Sequence, residues 1–387
     1  MIRLARTNRS MFAEWWWTVD KWTLFGLFSL MILGAVLALA ASPAVAMRIN
    51  LPPFHFVYRQ LIFFVPAIAI MIGVSLLNLR MVRRLAAMVF AGAFVLMLLT
   101  LVIGPTVNGA QRWLYIGPFG LQPSEFVKPA FIVLAAWFFA EAQRTPGVPG
   151  TGLAIGLYAA VVGVLAMQPD FGQLMLLTMV FGAMFFMAGL SWGWIGALGG
   201  AAAVGAFGAY TTMPHVASRV DRFLNPESGD TYQIDRALDA VNAGGLFGRG
   251  PGEGIVKRIL PDAHTDFIFA VAAEEYGVIV GLIIIGLFAF IVIRTLRQAM
   301  EEQDLFVQFA VCGLVAQFGL QALINMAVNV NLMPAKGMTL PFISYGGSSL
   351  LAMAISMGFV LALTRRRPQA SRSDSVVVSR LSPAHLS

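Results

Sequence analysis

The chain has 387 residues and a formal net charge of +7, and 58% of its residues are hydrophobic whereas only 12% are charged. Soluble globular proteins carry about 25% charged residues, so this composition excludes an ordinary soluble protein and indicates a membrane protein. The basic residues are scattered between apolar segments, which is typical of membrane topology and disfavours a nucleic-acid partner.

Apolar runs long enough to cross a bilayer recur along the chain, since about 20 residues of helix span the hydrocarbon layer. Ten such runs lie at residues 22–46, 57–78, 85–104, 124–140, 151–168, 171–189, 192–212, 266–293, 306–328 and 344–364. No gap between them is long enough for a separate soluble domain. The sequence therefore predicts an all-α, polytopic membrane domain of about ten helices over residues 22–364.

The distribution of Lys and Arg predicts the orientation of these helices. With residues 1–21 in the cytoplasm, most of the basic residues fall on the cytoplasmic side, many of them at helix ends, and both termini are cytoplasmic. Residues 365–387 are rich in Ser and Arg and predict a disordered cytoplasmic tail. Trp15, Trp16 and Trp17 precede the first run, where aromatic residues anchor helices at the membrane interface.

The longest connection, residues 213–265, then lies outside the membrane between the seventh and eighth helices. Within it Ile234, Leu238 and Val241 share one helical face, which predicts a short amphipathic helix on the membrane or on the bundle, ended by Gly244 and Gly245. A glycine cluster at 248–254 lacks the Lys-Ser/Thr of a phosphate-binding loop, and we interpret it as a flexible connector.

Charged residues at a membrane boundary are costly and are functional candidates. Those mapping to the outer face are Arg112, Glu125, Lys128, Asp170, Asp266 and Lys336. They come from four separate connections, so folding could bring them round one site. Glu125 and Lys128 are three residues apart at a helix start, where they can pair, and a structural ion pair is an equally good interpretation.

Asp170 lies in a tight outer connection, where it either caps the next helix or presents its carboxylate to a cation or ligand. Asp266 lies where the external loop joins a long apolar helix. Partial desolvation there should raise its pKa and make it a proton acceptor near neutral pH, although helix capping explains it equally well.

Two carboxylates, Glu274 and Glu275, lie about 12 Å deeper than Asp266 by helix rise. They must face the bundle interior or a cavity, and a structural hydrogen-bonding role is favoured over catalysis. Other chemistries find little support, because the four histidines are too dispersed for a zinc site and the single cysteine, Cys312, lies inside an apolar run.

Five motifs stand in order along residues 56–365: Gly-Ala-Gln-Arg-Trp, Gln-Pro-Ser-Glu-Phe-x-Lys, Gln-Pro-Asp-Phe-Gly, Leu-Pro-x-Ala-His-Thr-Asp-Phe-Ile-Phe and Ser-Tyr-Gly-Gly-Ser-Ser. Together they resemble the SEDS family of bacterial cell-envelope proteins (shape, elongation, division and sporulation), which includes FtsW and RodA. Residues 334–341, Pro-Ala-Lys-Gly-Met-Thr-Leu-Pro, are similar to the division branch, FtsW. Arg258 departs from the acidic residue that some FtsW proteins carry.

The resemblance implies a peptidoglycan glycosyltransferase that joins lipid II into glycan strands, at the outer face of the bacterial cytoplasmic (inner) membrane during septal synthesis. Undecaprenyl diphosphate would be the leaving group. Asp266 matches the aspartate taken as catalytic in the family. The implied partners are lipid II, the undecaprenyl-linked strand, membrane lipids, a class B penicillin-binding protein of the FtsI type and other division proteins, and not a nucleic acid.

In this interpretation Asp266 is the general base, and cations on the same side stabilise the diphosphate. The predicted cations are Arg112, Lys128, Lys257 and Lys336. The other predicted substrate-binding residues are Glu125, Asp170, His264, Thr265 and Ser344. A divalent cation, Mg²⁺ or Mn²⁺, could assist through Asp170, although no dedicated metal ligand set is visible.

Two other functions stay open at this point. A lipid II flippase would explain the many helices and the intramembrane Glu274 and Glu275, but transport needs a polar path to both faces, whereas the candidates crowd one face. A noncatalytic scaffold for division proteins would need no ordered cluster of acids and bases.

Overall fold

The computed structural model describes residues 11–107, 109–117, 119–189, 192–213, 216–218, 221, 232–334 and 337–365. Lys336, Arg366–Ser387 of the tail and the first ten residues lie outside this set. The described helices are α1 (Met11–Thr18), α2 (Lys21–Arg48), α3 (His55–Ser75), α4 (Leu79–Ile103), α5 (Pro123–Arg144), α6 (Gly150–Met167), α7 (Phe171–Met187), α8 (Trp192–Thr212), α9 (Tyr232–Gly244), α10 (Ile268–Met300), α11 (Leu305–Asn329) and α12 (Gly347–Leu363).

Each of the ten predicted apolar runs overlaps one helix along most of its length, in the order α2 to α8 and then α10 to α12. Six of these, α2, α3, α4, α6, α10 and α11, are long and apolar enough to cross a membrane, and α7 and α12 are shorter apolar helices. The chain is thus an all-α, multi-pass membrane protein, as predicted. The count of ten crossings stays a prediction, as does the orientation, from which we call the external end of the bundle the outer end.

Helix α11 lies at the centre of the bundle and packs against α5, α7, α10 and α12. In the apolar stretch of α11 that could span a membrane, 72% of the residues are buried, whereas in that of α4 only 22% are. A mostly exposed apolar helix such as α4 faces lipid, because lipid tails solvate its side chains as well as a protein core does. The polar residues of α11 are therefore enclosed by protein.

A short hairpin at the outer end was not predicted from the sequence. Strands β1 (Leu114–Ile116) and β2 (Phe119–Leu121) pair antiparallel between α4 and α5, with Gly117 at positive φ in the turn. Ser348 of α12 donates to the Gly120 carbonyl and accepts from the Gln122 amide, both at 3.1 Å. The hairpin thereby fixes the start of α5 against α12.

The predicted amphipathic helix of the external connection is confirmed as α9, which ends at Gly244. It packs on α10 through a face of small residues that includes Ala237 and Ala240. A Cβ atom on Gly244 would lie 1.8 Å from the Ala273 carbonyl oxygen, so only glycine permits this approach. The sequence left open whether this helix lies on the membrane or on the bundle, and the structure places α9 on the bundle.

Two interpretations of local segments need correction. The glycine cluster after α9 is not a free connector, since the Arg249 and Gly250 amides donate to the Glu274 and Glu275 carbonyls at 2.9 and 3.0 Å. Trp15 is buried within the protein and not exposed to the membrane interface, and its indole donates to Ser75 at 2.8 Å. Of the three predicted anchors, Trp16 and Trp17 are exposed as interfacial anchors should be.

Candidate active site at the outer end

Asp266 lies in a turn two residues before α10. The Asp262 carbonyl accepts the Thr265 and Asp266 amides at 3.0 and 3.1 Å and shapes this turn. Asn325 and Asn329 of α11 each donate a side-chain N–H to the Asp266 carbonyl at 2.9 Å. Because one face of the central helix holds the backbone of Asp266, its side chain starts from a fixed point.

The Asp266 carboxylate is partly exposed, and none of the residues that the structure describes donates a hydrogen bond to it. Burial, reinforced by the nearby Asp262 charge, raises the pKa of Asp266 from its ordinary 3.8 to about 7. A carboxylate with a pKa near the working pH is suited to accept a proton in a reaction and release it afterwards. The sequence-based expectation of a raised pKa therefore agrees with the structure.

Thr265 and Ser344, both predicted to bind substrate, hold the turn in place. The Ser344 hydroxyl is buried, donates to the Thr265 carbonyl at 2.5 Å and accepts the Leu340 amide at 2.8 Å. The Tyr345 amide donates to the His264 carbonyl at 2.9 Å. Segment 340–345 thus supports the turn that carries Asp266, and its Ser344 hydroxyl is already engaged.

His264 packs its ring against Phe56, with the ring centroids 4.2 Å apart. Burial, with a contribution from the Arg48 charge, lowers the pKa of His264 to about 4, so the imidazole is neutral at pH 7. Neutral His264 adds an uncharged wall to the site. It adds no positive charge beside Asp266.

Glu125 and Lys128 form the predicted ion pair, with Lys128 Nζ 2.9 Å from Glu125 Oε2. Gln173 of α7 closes a triangle, because it accepts from Lys128 and donates to Glu125, both at 2.6 Å. All three side chains are buried. In this conformation Lys128 is committed to its neighbours and is not presented to a ligand.

Asp170 caps α7, as one of its two predicted roles required, through a long contact of 3.4 Å with the Gln173 amide. Arg112 lies 3.4 Å from the same carboxylate, and Gln122 donates to it at 3.4 Å. Burial raises the pKa of Asp170, and Arg112 opposes this shift. Arg112 remains partly exposed, with 24% of its side chain accessible.

Four buried amide side chains follow one face of α11 at intervals of four residues. They are Gln317, Gln321, Asn325 and Asn329. Gln321 accepts from Lys128 at 3.4 Å and donates to the Thr339 carbonyl at 3.0 Å, so this polar stripe connects the Lys128 cluster with the Asp266 turn. Our sequence analysis missed the stripe, although polar residues spaced by four in an apolar helix were a readable signal.

Lys257 was predicted to bind the diphosphate, but in this structure its ammonium is engaged within the protein. Its side chain is buried and its ammonium pairs with Glu275 of α10. Glu275 and Glu274 therefore have the structural role that was predicted for them.

Arg48 is an exposed cation that the sequence analysis missed. It lies at the outer end of α2 and donates to the Leu260 carbonyl at 2.7 Å.

The described residues contain no group of three or more His, Cys, Asp or Glu side chains that could hold a metal ion. The carboxylate of Asp170, the predicted metal contact, already caps α7 and pairs with Arg112. This part of the chain does not fit a preformed metal centre.

Comparison with known proteins gives consistent relatives along nearly the whole chain. The family described as "Cell cycle protein", which joins FtsW, RodA and SpoVE, matches residues 21–369. A Caulobacter vibrioides protein named "Probable peptidoglycan glycosyltransferase FtsW" is 52% identical over 367 residues, which cover 95% of this chain and 94% of that protein. A Coxiella burnetii protein of the same name is 35% identical over 90% of this chain and 96% of its own.

Solved structures show the same architecture. One, described as "Structural coordination of polymerization and crosslinking by a peptidoglycan synthase complex", is 27% identical with a TM-score of 0.75, covering 91% of this chain and 99% of that chain. The rod shape determining protein RodA of Thermus thermophilus is 28% identical with a TM-score of 0.65, covering 92% and 99%.

Proposed function

The chain belongs to the FtsW, RodA and SpoVE family of cell cycle proteins, and on this premise we propose that it is a peptidoglycan glycosyltransferase. It polymerises lipid II into glycan strands at the outer face of the membrane and releases undecaprenyl diphosphate. The observation that carries the proposal is Asp266 at the outer end of the bundle: its carboxylate is partly exposed with a pKa of about 7, and its backbone carbonyl accepts hydrogen bonds from two asparagines.

Asp266 acts as the general base of the transfer. A sugar hydroxyl is a weak nucleophile at neutral pH, so a carboxylate must take its proton as its oxygen attacks the anomeric carbon of the donor sugar. The new glycosidic C–O bond forms while the bond from that carbon to the diphosphate breaks. The proton ends on Asp266, and the electron pair leaves with undecaprenyl diphosphate.

Cations at the outer end stabilise the charge of the leaving diphosphate. Arg48 is exposed and Arg112 is partly exposed, so these two can reach a ligand, and the family resemblance adds Lys336. We do not assign this role to Lys128 and Lys257, because both are buried and paired with carboxylates. A divalent cation, Mg²⁺ or Mn²⁺, would have to bind together with the diphosphate, and the proposed mechanism includes no step through it.

The relatives support the proposed partners and location. One structural neighbour comes from a complex that couples polymerisation to crosslinking. Nothing in this chain resembles a transpeptidase, so a class B penicillin-binding protein of the FtsI type would supply the crosslinking. The FtsW names of the relatives support a place in the bacterial inner membrane, at the division septum with other division proteins.

The test is polymerisation of lipid II by the purified full-length protein together with its crosslinking partner. Asp266→Asn keeps the shape of the side chain and removes the base, so the rate should fall by about 100-fold or more. Asp239→Asn, which removes an exposed external carboxylate from α9, should leave it unchanged. Normal polymerisation by Asp266→Asn would refute the assignment, and lipid II translocation in vesicles without any polymer would favour a flippase.

A further inference from the structure

Helix α10 is broken at Gly277, whose backbone has φ 80° and ψ 176°. The loop after α9 fills the break, since the Gly245 carbonyl accepts the Val278 amide at 3.0 Å. Irregular backbone is tolerated within a membrane bundle where other protein groups satisfy its hydrogen bonds. The break leaves residues 268–276 as a short separate segment, and Asp266 lies just before its first residue.

Glu274 ties this short segment to the external loop. Its carboxylate accepts the backbone amides of Ile255, Val256 and Lys257 at 2.6, 2.7 and 2.8 Å. These three amides begin a 3₁₀ turn, Val256–Arg258. A charged acceptor on free amides at a helical N-terminus makes strong, well-directed hydrogen bonds. Glu274 therefore fixes where the loop starts its path toward Asp266.

Lys257 adds a second connection, which includes α2. Its ammonium pairs with Glu275 and donates to the Ala40 carbonyl of α2 at 2.9 Å. Both charged side chains are buried, and the second carboxylate oxygen of Glu275 has no hydrogen-bond partner within the described part of the chain. Lys257 is thus the cation that compensates this buried carboxylate, and it joins the loop, α10 and α2 at one point.

The path from Lys257 to Asp266 is short and anchored along its length. Arg48 holds the Leu260 carbonyl at 2.7 Å, and Asp262 closes the following turn onto Asp266 through backbone hydrogen bonds. A displacement of Lys257 would therefore also displace Asp266, because few residues between these hydrogen bonds are free to absorb the movement. The base is therefore held from two sides, by the asparagines of α11 and by the Lys257 connection.

We propose that Lys257 is a positioning residue, whose pair with Glu275 clamps the external loop onto the segment of α10 before its break and so sets the position of Asp266. The inference rests on the proposed glycosyltransferase function. Lys257 does not touch the substrate. It acts through the backbone that carries the base.

The test compares Lys257→Met, which keeps the length of the side chain without its charge, with Arg258→Met as the matched control. Arg258 is the exposed neighbour of Lys257, so its variant removes the same charge from the same turn. A misplacement of the base by about 1 Å can cost about 100-fold in rate. We expect Lys257→Met to lower kcat by about that factor with KM for lipid II nearly unchanged, and Arg258→Met to match the wild type.

Glu275→Gln serves as a second variant with the same expectation, should Lys257→Met fail to fold. Hydrogen exchange of the detergent-solubilised wild type adds a measurement that needs neither a variant nor activity. The amides of Ile255, Val256 and Lys257 should exchange at least about tenfold more slowly than those of exposed loop residues. In the folded variants, exchange from 255 to 267 should accelerate.

Three results would overturn the proposal. The first is an unchanged kcat in either folded variant. The second is a raised KM with kcat unchanged, which would make Lys257 a substrate-binding residue. The third is fast exchange at the three amides of the wild type. If the wild type fails to polymerise lipid II, the proposed function fails. The exchange measurements would still decide whether the clamp exists.

Discussion

Lowering the pH from 8 to 6 should reduce the polymerisation rate, because Asp266 must be deprotonated to act as a base. Burial beside Asp262 raises the pKa of Asp266 from its ordinary 3.8 to about 7. Because its pKa is raised, Asp266 becomes protonated, and so stops acting as a base, at a higher pH than an ordinary aspartate. The acid limb of the pH–rate profile should therefore lie near neutrality, about three units above that of an ordinary aspartate.

The size of the effect follows from the fraction of deprotonated Asp266. With a pKa of about 7 this fraction is about nine-tenths at pH 8, one-half at pH 7 and one-tenth at pH 6, so the rate should fall about tenfold over this range. An aspartate with the ordinary pKa would be more than about 99% deprotonated throughout and would give a flat profile.

The assay is the initial rate of glycan formation on lipid II at saturating and at low concentrations, with thermal unfolding measured at each pH to show that the protein stays folded. Asp262→Asn removes one of the two causes of the shift, so its acid limb should move to lower pH while its rate at pH 8 is kept. Neutral His264 and cationic Arg48, which also face this turn, are unchanged in that variant. A flat wild-type profile from pH 6 to 8 would refute the reasoning.

Two further substitutions test the packing that supports the site. Glu125→Ala leaves Lys128 as a buried charge without its carboxylate, so stability should fall by about 3–5 kcal/mol, seen as a lower unfolding temperature; an unchanged temperature would contradict the pairing. Gly277→Ala places a Cβ 2.2 Å from a loop carbonyl oxygen at a positive φ, and should cost at least about 2 kcal/mol. Gly281→Ala, one turn further along α10 with no contact under 3.4 Å, is the control that should not destabilise.

The sequence analysis predicted the helices well, because hydrophobicity and helix length are properties of continuous segments. The external helix α9 was found from three apolar residues on one face, yet its packing partner was left open. The hairpin after α4 was missed, since its strands have three residues each and no repeated alternation of polar and apolar residues. Short strands depend on the neighbours that their backbones meet, here α12 through Ser348.

The polar residues were predicted as candidates, but their individual roles were predicted less well. Lys128 and Lys257 were both predicted as substrate-binding cations, with an ion pair to Glu125 as the alternative for Lys128, and both are buried in ion pairs. The Lys128 partner lies three residues away and was foreseen, whereas Glu275 lies eighteen residues from Lys257, with the turn that carries Asp266 between them. No spacing rule for a continuous helix predicts that second pair.

By itself the sequence determined a multi-pass helical membrane protein with a candidate catalytic carboxylate, Asp266, at one end of a long helix, because segment hydropathy and local motifs carry that information. Only the tertiary structure decided which side chains are available. It assigned Asn325 and Asn329 to the backbone of Asp266, Lys257 to Glu275, and the external loop to the break at Gly277. The physical reason is that burying a charge in a membrane bundle requires a partner, and the partner is set by packing between distant segments.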